Sequence, residues 1–221
     1  MKKTWWCLLL IGQLVISKQG FTQNGLEDAA TPKDDIHSGV YGNPFLFKDW
    51  SDGVIRFTSG RVLTQFKLKF DCLKNQLLLQ FQGSTFAAES KVKEFVLYKT
   101  GKQKDSLLFR KGYPAAEKAT EETYYQVLFE GKVALLRLFA KNIIEEKQSI
   151  PATTTRRLED AELFFLLKDG IMITLPQNRN DLPKIFPDKS ELLSKFIAEQ
   201  QLRMRTAEDF IQVAKKYNEL L

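Results

Sequence analysis

Histidine occurs once in the 221-residue chain, as His37, and cysteine twice, as Cys7 and Cys72. A single imidazole excludes most zinc sites and the nucleophilic triads that depend on a histidine base. Cys7 lies inside an apolar N-terminal stretch, and once that stretch is set aside Cys72 has no partner for an intrachain disulfide. A domain of about 200 residues has core enough to fold without one. A concentrated basic stripe is missing too. The 33 Lys and Arg against 27 Asp and Glu give a net charge of +6, but it is scattered, which excludes the footprint of a nucleic-acid binder. No G-x-S-x-G, H-E-x-x-H, P-loop or G-x-G-x-x-G motif is present. Strands and helices do not alternate, which argues against a doubly wound parallel sheet.

The chain begins as an export signal does. Lys2 and Lys3 precede an apolar run from Trp5 to Ile16, and Val15-Ile16-Ser17 offers a cleavage site after Ser17. Gln13 interrupts the run, which falls short of the roughly 20 residues a membrane span takes. We therefore expect residues 1–17 to be a signal peptide, with no membrane span after its removal. Residues 18–39 are polar, contain Gly20, Gly25 and Pro32, and read as a flexible leader that ends near His37.

From Val40 the pattern changes to short β-rich runs divided by turn residues. The clearest is Val62 to Cys72. Its even positions (Val62, Thr64, Phe66, Leu68, Phe70, Cys72) read as a dry face and its odd positions (Gln65, Lys67, Lys69, Asp71) as a wet one. Lys74-Asn75 turns the chain into Gln76–Gln82. Further strands are expected over Val92–Lys99 and Ser106–Lys111, joined by a polar turn from Thr100 to Asp105. Tyr124–Glu130 with Val133–Lys141 reads as one hairpin. Ala161–Lys168 with Ile171–Leu175 reads as another, around Asp169-Gly170, a pair suited to a type I′ turn. Glu145–Glu159 is polar and is expected to be an exposed loop.

The final segment switches to helical period. Asp188 with Glu191, and Thr206 with Asp209, have the spacing of capping boxes. Leu192, Leu193, Phe196 and Ile197 form one apolar stripe; Phe210, Ile211, Ala214, Tyr217 and Leu221 form the next. The expected fold is mainly β (α+β): an antiparallel β-meander of about eight to ten strands, forming a sandwich or open barrel, with two C-terminal amphipathic helices. Its β domain spans 40–176 and its helical pair 177–221, packed on the β domain.

The run Gly42-Asn43-Pro44-Phe45-Leu46-Phe47-Lys48-Asp49-Trp50-Ser51-Asp52-Gly53 leads into a meander with Gly60. With Tyr124-Tyr125-Gln126-Val127-Leu128 and the ending Phe210–Leu221, it resembles a family of exported, functionally uncharacterised Bacteroidetes proteins. The resemblance implies a periplasmic or cell-surface location in a bacterium and brings no catalytic residues with it.

The residues themselves point to no catalytic set, cofactor or metal. Cys72 falls on a dry strand face and reads as packing. Three groups of carboxylates (Asp49 with Asp52; Glu121 with Glu122; Glu159, Asp160 with Glu162) have the composition a glycoside hydrolase needs, although solvated surface charge is the simpler reading. Asp49 and Trp50 are the first candidates for ligand binding, because Trp50 is the only tryptophan after the leader and aromatic faces stack on sugars. Tyr124 and Tyr125 are the second, since neighbours on a strand face opposite ways and one of the two is expected at the surface. Arg156-Arg157 is a candidate anion contact. The leading expectation is an exported, non-enzymatic binding module whose partner is a protein or glycan of the envelope. A carboxylate-dependent hydrolase of envelope glycans and a structural assembly subunit are the alternatives.

Overall fold

Pairs of residues with positive φ fix the tight turns. Asp169 and Gly170, at 49° and 76°, close one hairpin as a type I′ turn requires, and Gln82 and Gly83, at 50° and 83°, close another. The structure, a computed structural model, describes residues 30–32, 40–89, 91–99, 105–149 and 152–221. The signal peptide, His37 and nearly all of the leader and of the Thr100–Asp105 turn lie outside the described residues.

Twelve strands lie among the described residues: β1 Ala30–Pro32, β2 Gly53–Phe57, β3 Val62–Leu63, β4 Lys67–Asp71, β5 Gln76–Phe81, β6 Ser84–Ala88, β7 Val92–Tyr98, β8 Ser106–Arg110, β9 Tyr125–Glu130, β10 Ala134–Ser149, β11 Ala152–Lys168 and β12 Ile171–Leu175. A 3₁₀ turn, Leu182–Ile185, and two helices follow, α1 Ser190–Glu199 and α2 Ala207–Leu220. The large sheet has eight strands in the order β12-β11-β10-β9-β8-β7-β2-β3, and the small sheet has the order β1-β6-β5-β4. All paired strands are antiparallel. The fold is mainly β and sandwich-like, as the sequence led us to expect. The presence of β1 corrects one detail, since part of the leader is a strand.

The two coverings of the large sheet share one of its faces. The register carries Ile55, Phe95, Phe109, Gln126, Arg137 and Phe164 across successive strands on that face. Over β2, β7 and β8 it is covered by the small sheet, and Phe70, Phe95, Phe109 and Tyr124 form an aromatic cluster with Phe95 stacked on Phe109 at 4.9 Å. Over β10, β11 and β12 the helices cover it: Leu193 and Ile197 of α1 and Phe210, Val213, Ala214 and Tyr217 of α2 are buried against Leu135, Phe164 and Leu166. Between the halves runs a polar seam. The Arg137 guanidinium donates to Gln126 Oε1 at 2.9 and 2.5 Å and to Glu162 Oε2 at 3.3 Å, and lies 4.2 Å from the centre of the Phe139 ring. The reverse face carries a smaller apolar cluster of Tyr113, Tyr125, Leu136 and Phe165, beside an ionic row of Arg56, Glu94, Arg110 and Glu130.

Several expectations need correction. Val62–Cys72 is not one strand: Val62–Leu63 edges the large sheet, while Lys67–Asp71 belongs to the small one, and the chain crosses between layers at Thr64–Phe66. Asp71, read as wet, is buried, because its carboxylate accepts from the N–H groups of Leu73 and Lys74 and shapes the turn into β5. Glu145–Glu159 is not a loop. It is the outer part of the β10–β11 ladder, which runs past β9, paired only with Ala134–Arg137, and past β12, paired only with Phe164–Lys168. The rungs from Leu138 to Ser149 form a two-stranded arm, roughly 40 Å long at about 3.3 Å per residue. Helix α1 is capped by Lys189 without a side-chain bond, so Asp188 is not its N-cap, and Leu192 of its expected stripe is exposed. The capping box of Thr206 and Asp209 on α2 is present in both directions.

Candidate functional site

The segment from Val40 to Ser51 is stitched across the molecule by backbone bonds. Tyr41 bridges the outer edge of β11, with its N–H donating to the Arg156 carbonyl and its carbonyl accepting from the Leu158 N–H. Further on, Leu46 donates to Phe70 O, Cys72 to Pro44 O, and Ser51 and Leu68 exchange bonds of 2.9 and 2.7 Å. Tyr98 then donates to Asp52 O at 2.9 Å, which ties the same segment to the large sheet. The loop holding Asp49 and Trp50 is thereby pinned to both layers of the sandwich where they meet.

A surface cleft of about 360 Å³ opens there, lined by residues 46–52 together with Tyr98 and Lys99. Trp50 is half-buried. The Lys69 ammonium lies 5.3 Å from its ring centre and 4.6 Å from that of Phe45. Burial holds the Lys69 amine below the ordinary lysine range, with the neighbouring Asp49 pulling the other way. Asp49 and Asp52 are both exposed, and Asp52 accepts from Lys67 at 2.7 Å. The cleft thus joins three aromatic side chains, Phe47, Trp50 and Tyr98, to carboxylates and to the exposed Lys48 and Lys99. Such a wall suits a ligand that has both a CH-rich face and hydroxyl groups.

The structure separates the second pair of candidates from the first. Tyr124 and Tyr125 are both buried, against the expectation that one is exposed, because each has a cluster of its own to enter. Tyr124 packs between the sheets. Its hydroxyl donates to Val92 O at 2.8 Å, its backbone exchanges bonds with the Asn75 side chain, and burial raises its phenol. Tyr125 packs against Tyr113 and Phe165 on the reverse face; burial pushes its phenol up to about 12, and its hydroxyl has no hydrogen-bond partner among the described residues. Cys72 is buried and its thiol is pushed up to about 12, chiefly by burial, as suits a packing residue. Arg156 and Arg157 are neutralised on the arm by Glu145 and by Glu146 and Glu159. Among the described residues no group of three or more His, Cys, Asp or Glu gathers in a metal-binding arrangement.

Sequence reasoning missed Tyr98 and Lys99. They enter the cleft from the end of β7, and only the pairing of β7 with β2 brings them to Trp50. Fold and cleft together define a class, a mainly β, sandwich-like protein with an aromatic and polar cleft at the junction of its layers. No known protein family, curated protein or solved structure matches the chain.

Proposed function

We propose that the chain is an exported, non-enzymatic binding module of the bacterial cell envelope that takes a glycan in the Trp50 cleft. One observation carries the reading: a half-exposed tryptophan, backed by a lysine and sharing its cleft with Tyr98, on a loop held by backbone bonds to both sheets. A fixed aromatic platform with a few polar groups around it is how a binding site gains affinity without an ordering cost. The signal-like N-terminus supports the location. Titrating a panel of soluble envelope glycans while reading tryptophan fluorescence and heat tests the idea. Saturable binding that weakens about tenfold or more in Trp50→Ala is expected; binding unchanged in that variant, or none across the panel, would overturn it.

The hydrolase reading keeps one point in its favour, since Asp49 and Asp52 line the same cleft. Against it, both are exposed and Asp52 is held by Lys67, whereas a general acid needs an apolar setting to stay protonated. Turnover of a bound glycan that disappears in Asp49→Asn would decide for the enzyme. The assembly reading rested on the helix stripes, and the chain's own sheet and connections already bury most of each.

A further inference from the structure

A second cleft, of about 450 Å³, lies at the helical end and is lined by Gln177, Asn178, Arg179, Arg203 and Arg205. Two loops build it. Arg179 comes from the stretch after β12. Arg203 and Arg205 come from the connection between α1 and α2, where Leu202 and Met204 are buried and the arginines between and after them are left exposed. Met204 takes a φ of +57°, a conformation that non-glycine side chains adopt at a cost.

The three guanidinium groups have no ion pair or side-chain hydrogen bond to any described residue, and no acid lines the cleft. Two acids that neighbour these arginines in sequence are committed elsewhere. Asp181 holds Lys184 and Asn178, and Asp209 closes the capping box and accepts from the Arg205 backbone. The contrast with the arm is direct: Arg156 and Arg157, adjacent in sequence, are each met by a glutamate, while these three, gathered from distant parts of the chain, are met by none. Like charges brought together without counter-charge repel, and an anion removes that penalty on binding.

We infer that this cleft is a second binding site, for a phosphate group. Each guanidinium is a planar fork of N–H donors that matches phosphate oxygens two at a time, and a doubly charged tetrahedral group offers enough oxygens to engage three forks. A carboxylate, with two oxygens, fills only one. The inference does not rest on the Trp50 cleft, which lies on a different part of the chain and is untouched by the variants below.

The test uses the folded chain with two probes: inorganic pyrophosphate by calorimetry at low salt, and flotation with phosphatidylcholine vesicles with or without phosphatidic acid. Saturable pyrophosphate binding, weakening about tenfold for each of Arg179→Gln, Arg203→Gln and Arg205→Gln, supports a site for free phosphates. Binding confined to the phosphatidic acid vesicles, and lost in the same variants, supports a headgroup site. Two loops contribute, so a variant that unfolds on one leaves the other to decide, and thermal melts report which remain folded. The inference fails if neither probe binds, if binding survives Arg203→Gln and Arg205→Gln, or if Arg156→Gln and Arg157→Gln weaken it as much. It fails too if Arg203→Lys binds as well as the arginine, because charge alone would then account for the attraction.

Discussion

The two halves of the large sheet share a face, a set of strands and a register, yet they are closed by different means. The first half meets the small sheet, and its core is a stack of rings in which Phe95, Phe109, Phe70 and Tyr124 touch one another. The second meets two helices whose side chains do the packing, with Phe164 stacked on Phe210 at 4.1 Å. Those helices carry no backbone ladder to the sheet. In place of one, Asn218 Oδ1 accepts from the Lys132 N–H at 2.6 Å, and the Lys168 ammonium donates to the Tyr217 hydroxyl at 2.5 Å. A layer of strands spreads its cohesion over many backbone bonds, whereas a layer of helices concentrates it in apolar contacts and a few polar ties. The Arg137–Gln126 seam is where one regime gives way to the other.

Substitutions in each half put that contrast to measurement. Phe109→Ala removes a fully buried ring from the centre of the strand-covered half and is expected to cost about 3–5 kcal/mol in denaturant unfolding. Leu193→Ala, equally buried under α1, is expected to cost about 2–4 kcal/mol. Because the sites share no partners, the double variant should show the sum of the two losses; a shortfall well beyond half a kcal/mol would mean that the seam couples the halves. Glycines probe the same contrast. A Cβ at Gly53 would collide with the Val96 carbonyl and reach 2.6 Å from Leu68 Cδ1, so Gly53→Ala must move backbone. At Gly131 it would meet the Asn218 side chain, which can swing away. Both losses should fall at about 1–3 kcal/mol, with Gly53→Ala the larger. Thr206→Ala, which removes the α2 cap, should cost about 1 kcal/mol.

The smallest expected effect is one of pH and concerns the reverse face. Burial alone would raise the Glu94 carboxyl, but hydrogen bonds from Arg110 and Arg56 hold it below the ordinary glutamate value of 4.5. A carboxyl lowered by folding stabilises the fold at pH values above that ordinary value, and the benefit is lost as the pH falls through the lowered one. Unfolding free energies of the chain and of Glu94→Gln should therefore converge in acid and separate toward neutrality. A constant difference from pH 3 to pH 7 would remove the ion pairs from the account.

How much was legible depends on whether a segment has a dry side. Phe66, Leu68 and Phe70 alternate because one face meets the other layer, and the period survives in the sequence. The arm is wet on both faces over much of its length, with rungs such as Glu145 opposite Arg156, so it has no apolar alternation to read. Its remaining strand signal was β-branched composition, Ile143 and Ile144 across from Leu158 and Arg157 and Thr153–Thr155 on β11, and composition without period reads as loop. Asp169-Gly170 was legible because its turn demands two positive φ values. Trp50 stood out as a lone tryptophan, whereas Tyr98, Arg179 and Arg203 become site residues only through contacts that no local pattern encodes.

The bridge between Tyr41 and Arg157 sets an order of events. A ribosome makes the Tyr41 segment early, yet its outer partner is an edge of β11, which is made late and needs β10 beside it. The strands from β7 to β12 pair with their neighbours in the chain, mostly across short loops that cost little entropy to close. Only the Tyr41 end of that stretch must wait for them, because residues 46–52 bond to β4 and β7. Refolding followed in time should show the Tyr41 and Leu158 amides gaining hydrogen-exchange protection after the bulk of the β signal, with that crossing among the last parts of the molecule to become itself.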